Sequence, residues 1–389
     1  MKIVHTSDWH AGRVWKNVRR LDELEAVLDN LALYIEHESV DVLLVSGDVF
    51  DTTTPVADAE KVVFRFLRRM GDLAVRSVVI AGNHDSPTRL AAWGHFAELA
   101  NVHVVARPAR ADEGGIVRLV TKSGESATVA ALPFASMKDI VSSLQLAESD
   151  TGAHQAYADG MRAMFEHLCA RFERTTVNLL VAHTHLQAAT LSGSERKVHV
   201  GEQWATTAQA LPAGAHYVAL GHIHKPQTVN APSPTEYAGS PLQLDFGEQD
   251  DEKSFVVVEA KAGTPSKIGR VPYRGGKKLS TVSGTLQELE ARADQLRAAG
   301  WLRVRLAAPK REPDLAGKVR RLLDNAVVVD LVLPEQADGP TQAARPSADA
   351  PPRDLFRAYY ASKHGHEPEP VVLDTFDRLL SETDPERAT

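Results

Sequence analysis

A chain of 389 residues with 43% hydrophobic and 24% charged residues has room for two or three domains with sizeable cores, which excludes a disordered or fibrous protein. A formal net charge of −7 excludes binding to nucleic acid by bulk charge, so any such contact must come from local basic clusters, bound cations or a partner. Cys169 is the only cysteine, which excludes a disulfide framework and points to a reducing cytoplasm. No run approaches the roughly 18 apolar residues of a membrane span, and the start runs straight into a motif, so neither a membrane anchor nor a signal peptide is expected.

Lys2–Thr6 reads as a buried strand and is followed at once by Asp8-Trp9-His10. Leu21–Ile35 has apolar residues at helical spacing, and the strand Val40–Val45 runs into Gly47-Asp48-Val49-Phe50-Asp51. A helix over Lys61–Met70 and a strand over Val75–Ala81 lead to Gly82-Asn83-His84-Asp85, completing a β-α-β-α-β order. Asn101–Val129 alternates apolar and polar residues and is expected to be antiparallel strand. Tyr157–Phe172 is expected to be one helix. The strand Val177–Ala182 precedes His183-Thr184-His185, and Tyr217–Leu220 precedes Gly221-His222-Ile223-His224. Gly239-Ser240-Pro241 marks a turn, and closing strands over Lys253–Lys261 and Lys267–Tyr273 finish a first domain, 1–275.

Residues 276–334 hold helices at Thr285–Ala298 and Asp314–Leu323 and strands at Leu302–Ala307 and Ala326–Leu333. They contain no ligand cluster and read as a small α+β capping domain. Residues 335–353 collapse into Pro, Ala, Gly, Asp and Gln, a flexible linker. Residues 354–381 then offer two amphipathic helices, marked by Leu355, Phe356, Tyr359 and Tyr360 and by Leu373, Phe376, Leu379 and Leu380. Such a pair is too small to stand alone and reads as an element that docks a partner.

The motifs share one placement: Asp, Asn and His at strand ends, where open α/β sheets collect their sites. Hard oxygen donors with imidazoles suit Mn²⁺, Fe or Zn²⁺. Asp8 and His10, two apart, reach one side of an extended segment; Asp48 is the natural bridge; Asn83 adds an amide oxygen; His222 and His224 can each reach a different ion. Arg13, Lys16, Arg19, Arg20, Arg89, Arg196, Lys197 and Lys225 lie near the motifs as candidate phosphate contacts, and Trp9 and Trp15 are placed at the site rim.

The set Asp-x-His, Gly-Asp-x-x-Asp, Gly-Asn-His-Asp and Gly-His-x-His resembles the calcineurin-like metallophosphoesterase superfamily. Ser7-Asp8-Trp9-His10 with Gly12, Ala219–Pro226 and Tyr237–Gln243 resemble, within it, the SbcD nuclease subunits of break-repair complexes. The resemblance implies an α/β layered sandwich of two mixed β-sheets flanked by helices, with a small capping domain and a C-terminal helix pair. It implies one divalent ion held by Asp8, His10, Asp48 and His224 and a second held by Asp48, Asn83, His183 and His222, Mn²⁺ being the expected metal. His185 is the alternative to His183; the latter directly follows its strand and is assigned. His84 would serve the leaving oxygen as the catalytic imidazole, with Asp85 orienting it, and Asp51 stands where some relatives have a second histidine. The implied activity is 3′→5′ exonuclease action on duplex DNA ends and endonuclease cuts in single strands and hairpins. The implied partners are an SbcC-type coiled-coil ATPase, gripped by the helix pair, DNA, and a second copy in a two-plus-two assembly at the bacterial nucleoid. A small-molecule or cyclic-nucleotide metallophosphodiesterase would use the same metals. A protein phosphatase is disfavoured, because Asp51-Thr52-Thr53-Thr54 replaces the Arg-Gly of that class.

Overall fold

A computed structural model describes residues 1–136, 139, 153–187, 189–192, 194–195, 205–309, 313–333, 352–364 and 367–383. The chain divides into two compact units, Met1–Leu333 and Pro334–Thr389.

The first unit is built on two six-stranded sheets. The first has the order β12-β11-β1-β2-β3-β4, from β1 (Lys2–Thr6), β2 (Val42–Val45), β3 (Arg76–Ile80), β4 (Val102–Val105), β11 (Ser254–Lys261) and β12 (Thr264–Pro272). The second has the order β9-β10-β8-β7-β6-β5, from β5 (Ile116–Val120), β6 (Ser126–Leu132), β7 (Val177–His183), β8 (Tyr217–Gly221), β9 (Gln227–Val229) and β10 (Thr235–Tyr237). The stretch 101–129 is antiparallel strand only in part: β5 and β6 form an antiparallel hairpin in the second sheet, whereas β4 pairs parallel with β3 in the first. Alternation alone does not say which sheet a strand joins.

The central strands read as unbroken apolar runs because both faces are covered. In β2, Val42 and Leu44 face the second sheet, while Leu43 and Val45 face helices; in β7, Val177, Leu179 and Val181 face the first sheet and Leu180 and Ala182 face outward. Helices α1 (Leu21–His37), α2 (Ala57–Asp72) and α3 (Pro87–Ala97) cover the outer face of the first sheet, α1 burying Leu24, Val27, Leu28, Leu31 and Ile35 at helical spacing. Helix α4 (Ala153–Cys169) covers the second sheet with Met161, Met164, Phe165 and Leu168. The result is an α/β sandwich of four layers whose strands β1–β3 and β6–β8 point their carboxyl ends to one rim.

A smaller core follows. Strands β13 (Leu279–Gly284), β14 (Trp301–Ala307) and β15 (Ala326–Val332) form a parallel three-stranded sheet, packed by α5 (Leu286–Ala291), α6 (Ala293–Arg297) and α7 (Leu315–Leu322). Strand β13 went unread in the sequence: of its residues only Leu279 is buried, so it carries little hydrophobic signal. Thr285 caps α5 in a reciprocal capping box with Glu288, and the expected single helix breaks at Arg292. This small domain is tied to the sandwich by Glu23, whose carboxylate receives the Arg20 guanidinium (2.8 Å), the Lys277 N–H (2.8 Å) and the Trp301 indole N–H (2.8 Å).

In the second unit, α8 (Pro352–His364) and α9 (Pro370–Thr383) stack Phe356 on Phe376 at 4.2 Å with planes 5° apart, and Arg357 pairs with Glu367 at 2.7 Å. Of the residues expected to be linker, 335–353, those at 335–351 lie outside the described residues, whereas Pro352 and Arg353 already form the first turn of α8. No helix among the described residues is long and apolar enough to cross a membrane.

Candidate metal centre

At the rim the loops after β1 and β2 are zipped by backbone hydrogen bonds, Asp8 N to Gly47 O, His10 N to Asp48 O and Ala11 N to Val49 O, each 3.0 Å. That close approach forces unusual backbone: Asp8 (φ 52°), His10 (φ 45°), Asp48 (φ 49°) and His222 (φ 98°) all occupy positive φ without being glycine. The motif glycines follow from the same crowding. Gly47 sits at φ 97° with His183 against it, and a Cβ on Gly82 would overlap the Asp48 carboxylate.

The structure brings all seven expected ligands, Asp8, His10, Asp48, Asn83, His183, His222 and His224, into one cluster with His84 beside them. Asp8, His10 and His224 offer donor atoms all within 4.8 Å of one another, as do Asp8, Asp48 and His183, and His10, Asp48 and His84. Asp48 is central: Oδ2 lies 3.7 Å from His10 Nε2 and 3.6 Å from His183 Nε2, and Oδ1 accepts the His84 backbone N–H at 2.8 Å. Asn83 Oδ1 lies between His183 Nε2 (2.9 Å) and His222 Nδ1 (2.8 Å). Both Asp8 oxygens accept the His222 N–H, at 3.1 and 3.2 Å.

Outer partners fix the tautomers. His10 Nδ1 faces the Asp51 carboxylate at 3.1 Å, His183 Nδ1 donates to Ser46 O at 2.8 Å, and His224 Nδ1 donates to Ser194 Oγ. Each bond leaves Nε2 as the lone-pair nitrogen turned inward. His10 and His224 then oppose two acceptor nitrogens at 3.1 Å, with carboxylates close by and no proton to share. Such an arrangement is repulsive unless a cation lies among the donors, and the hard oxygen and imidazole set fits a divalent one. Burial outweighs the opposing effects of His224 and of hydrogen bonds from Ser7 and His222, and raises the Asp8 carboxyl to about 6. Burial, then the neighbouring His224, His84 and Arg13, keeps His10 far below the usual imidazole range.

His84 is buried, its Nδ1–H donating to the Asp51 carbonyl at 2.8 Å, with the Asp51 carboxylate 4.0 Å away. Its orientation therefore comes from Asp51, correcting the role expected for Asp85. Asp85 instead accepts three backbone N–H groups, from Gly82 (2.8 Å), Phe50 (2.9 Å) and Val49 (3.1 Å), and clamps two rim loops together. His185 is also buried, but its ring lies 6.3 Å from that of His222 and it belongs to none of these donor groups.

Several basic and aromatic residues take other duties. Arg20 is buried, its guanidinium spread over Glu23, Gln243 O and Lys277 O, so it is structural and unavailable to phosphates. Arg89 pairs with Glu60 at 2.9 Å, Arg13 with Asp51 at 3.5 Å and Lys225 with Asp251 at 3.6 Å. Lys16 and Arg19 are exposed on the hairpin 14–19, while Arg196 and Lys197 lie outside the described residues. Trp9 is no rim residue: it is buried against Phe66 and donates to Thr6 Oγ1 at 2.8 Å. Trp15 is buried beside Phe246, toward the small domain.

The sequence reading missed the groups behind His224. Glu195 accepts the His224 N–H at 3.2 Å and the Ser192 N–H at 3.0 Å. Glu248, fully buried, accepts from Ser194 Oγ and pairs with Lys253 at 2.6 Å. Burial raises its carboxyl, yet His224 and Lys253 outweigh that and hold it at about 2. Nothing in the segment Phe246–Lys253 announces this; a Glu among other acidic residues reads as surface.

A family model described as calcineurin-like phosphoesterase matches residues 1–226, and one described as type 5 capsule protein repressor C-terminal domain matches residues 276–364. The chain is 35% identical over 281 residues to the SbcD subunit of nuclease SbcCD from Bacillus subtilis (strain 168), covering 72% of this chain and 71% of that protein. Its identity to the SbcD subunit from Rhodobacter capsulatus is 30% over 385 residues, 92% of each chain. To that of Escherichia coli (strain K12) it is 28% over 343 residues, 86% of this chain and 84% of that protein.

Proposed function

The chain belongs to the calcineurin-like phosphoesterases and, among them, to the SbcD nuclease subunits, and from that premise we propose that it degrades duplex DNA from 3′ ends and cuts single strands and hairpins. It is a metal-dependent hydrolase of phosphodiester bonds. The observation that carries the finer reading is the set of inward acceptor nitrogens crowded around Asp48, an arrangement built for cations. In this reading Asp8, His10, Asp48 and His224 hold one ion and Asp48, Asn83, His183 and His222 the other, Mn²⁺ being the metal.

Bound there, two ions supply Lewis-acid activation of a nucleophile and neutralise charge developing on the phosphoryl oxygens. The chain's own part is proton handling and alignment. His84, with Nδ1 tied to the Asp51 carbonyl, presents Nε2 as the nitrogen that can carry a proton to the leaving ribose oxygen. The imidazolium that delivers this proton has the Asp51 carboxylate 4.0 Å away to stabilise it, and the transfer returns the ring to neutral imidazole. Lys16 and Arg19, exposed just past the first ligands, are the cations placed to meet a phosphate backbone.

The helix pair of the second unit, with Tyr359, Val371 and Leu379 exposed, supports docking to an SbcC-type coiled-coil ATPase whose nucleotide state would gate access of duplex DNA. Phe96 and Leu99 are 77% and 87% exposed at the end of α3, next to the Phe64–Trp93 contact, and this apolar face supports pairing with a second copy. The test is a Mn²⁺-dependent assay on end-labelled duplex DNA, comparing wild type with His84→Ala and using a bis-phosphodiester dye as control. Degradation from 3′ ends that drops by about 10²–10⁴ in the variant while metal still binds supports the reading. Dye cleavage without DNA cleavage, even with the ATPase partner added, would favour a small-molecule esterase instead.

A further inference from the structure

His224 is held from behind by residues far from it in sequence. Its ring donates through Nδ1 to Ser194 Oγ, which donates to Glu248 Oε1. Glu248 Oε2 receives the Leu244 N–H at 3.0 Å and Lys253 Nζ at 2.6 Å, and the same Nζ donates to the His224 carbonyl at 2.8 Å. One carboxylate thus governs the ring, and its lysine partner governs the backbone, of a single candidate ligand.

The same short segment also carries the contact with the three-stranded domain. Asp245 accepts the Trp15 indole N–H at 3.1 Å, and Phe246 packs with Trp15 and Leu279, flanked by Trp301, Val327 and Val328. Gln243 Oε1 accepts the Leu279 N–H at 2.7 Å, and Thr281 donates to Gln249 Oε1 at 2.8 Å. Between Phe246 on the small domain and Glu248 behind His224 there is one tight 3-10 turn, Phe246–Glu248. A turn rising about 2 Å per residue has no slack to absorb a shift of one end, and Glu248 is wholly enclosed.

We infer that Glu248 is a positioning residue for His224, and that the turn Phe246–Glu248 passes the docking of the three-stranded domain on to that imidazole. The inference rests on the metal reading given above. Outer partners of ligating histidines fix ring direction and tautomer, so the consequence falls on the affinity of the ion that His224 holds. A shift of the small domain that draws Phe246 outward would loosen that ion selectively, leaving the one held by Asn83, His183 and His222 in place.

The test titrates Mn²⁺ alone into the full chain, following stoichiometry and affinity by calorimetry and the spin-coupled pair by electron paramagnetic resonance. Glu248→Gln is made alone and with Lys253→Met, so that no buried lysine is left uncompensated, and Phe246→Ala probes the transmission. Expected are two ions in wild type and loss of about 10–100-fold in affinity for one of them in both Glu248 variants, with the coupled signal gone at a Mn²⁺ level that saturates wild type. Phe246→Ala should weaken the same ion to a smaller degree. Two ions at unchanged affinity in folded Glu248→Gln, as judged by circular dichroism, would reduce Glu248 to a structural ion pair and overturn the assignment. Unchanged binding in Phe246→Ala would overturn the transmission. A wild type that binds no Mn²⁺ pair would instead sink the metal reading itself, a distinguishable result.

Discussion

The two sheets deliver donors to one rim but secure them by different means. Those of the first sheet, Asp8, His10, Asp48 and Asn83, sit on loops that bond to each other through backbone, with Asp85 gathering three N–H groups. Those of the second lean on groups from elsewhere in the chain: His224 on the side chains of Ser194, Glu195, Glu248 and Lys253, and His183 on the backbone carbonyl of Ser46, at the end of a first-sheet strand. A ligand fixed by its own loop moves only if the loop unfolds, whereas one fixed by distant side chains answers to whatever moves them. The first half of the centre is therefore the anchor, and the second is the half that other parts of the chain can adjust.

The largest effect tests where the two halves meet. Asp48→Asn removes the carboxylate facing both His10 and His183, and it should abolish binding of both ions and lower nuclease turnover by at least about three orders of magnitude, several kcal/mol of lost stabilisation. Retention of one ion at wild-type affinity would mean that a half of the centre stands without the bridge, and the two halves would then be independent sites.

A smaller effect isolates the first half. Asp85→Asn puts an NH₂ where a carboxylate oxygen accepts backbone N–H, so metal-free protein should lose about 1–3 kcal/mol in urea denaturation. An unmoved midpoint would show that the first loops hold their shape without this clamp.

The finest test concerns the seam between the sheets. His5 is wholly buried there, bonded to Tyr217 Oη and Ser46 Oγ at 2.8 Å each, and burial lowers its imidazole to about 3 from 6.5. The unfolded chain therefore takes up a proton that the folded one refuses as pH drops below 6.5. On this group's account stability falls by about 1.4 kcal/mol per pH unit from there toward 3, and is unaffected above 6.5. Denaturation of wild type and His5→Gln between pH 7 and 5 should show the variant with the shallower decline; parallel curves would remove His5 from the acid response.

The contrast between the halves also marks how much could be read from sequence. Each donor directly follows a strand, so the apolar run and the chemistry next to it were both visible, and the loops are too short to take the side chains elsewhere. Supporting groups were not visible because their meaning arises only in three dimensions. Glu248 looks like one more acidic surface residue until Ser194 and His224 are folded onto it. Arg20 counted as one of a basic cluster, although Glu23, three residues on, takes its charge into the core. Asp85 was paired with its sequence neighbour His84, whereas its oxygens turn back to the loop after β2. Strand β13 lacked an apolar pattern because it needs only Leu279 to join its sheet.

The four candidate ligands held at positive φ, Asp8, His10, Asp48 and His222, carry a last consequence. Aspartate, asparagine and histidine are the side chains that tolerate left-handed backbone best after glycine, and they are also the natural donors to a hard cation. Tight loops and metal chemistry thus select from the same short alphabet. A redesign that rewarded thermal stability alone would drift toward glycine at positions 8, 10, 48 and 222, relaxing the backbone while erasing the donors. Those positions need protection in any stabilising library, and a stabilised descendant that has lost them would keep its shape and none of its chemistry.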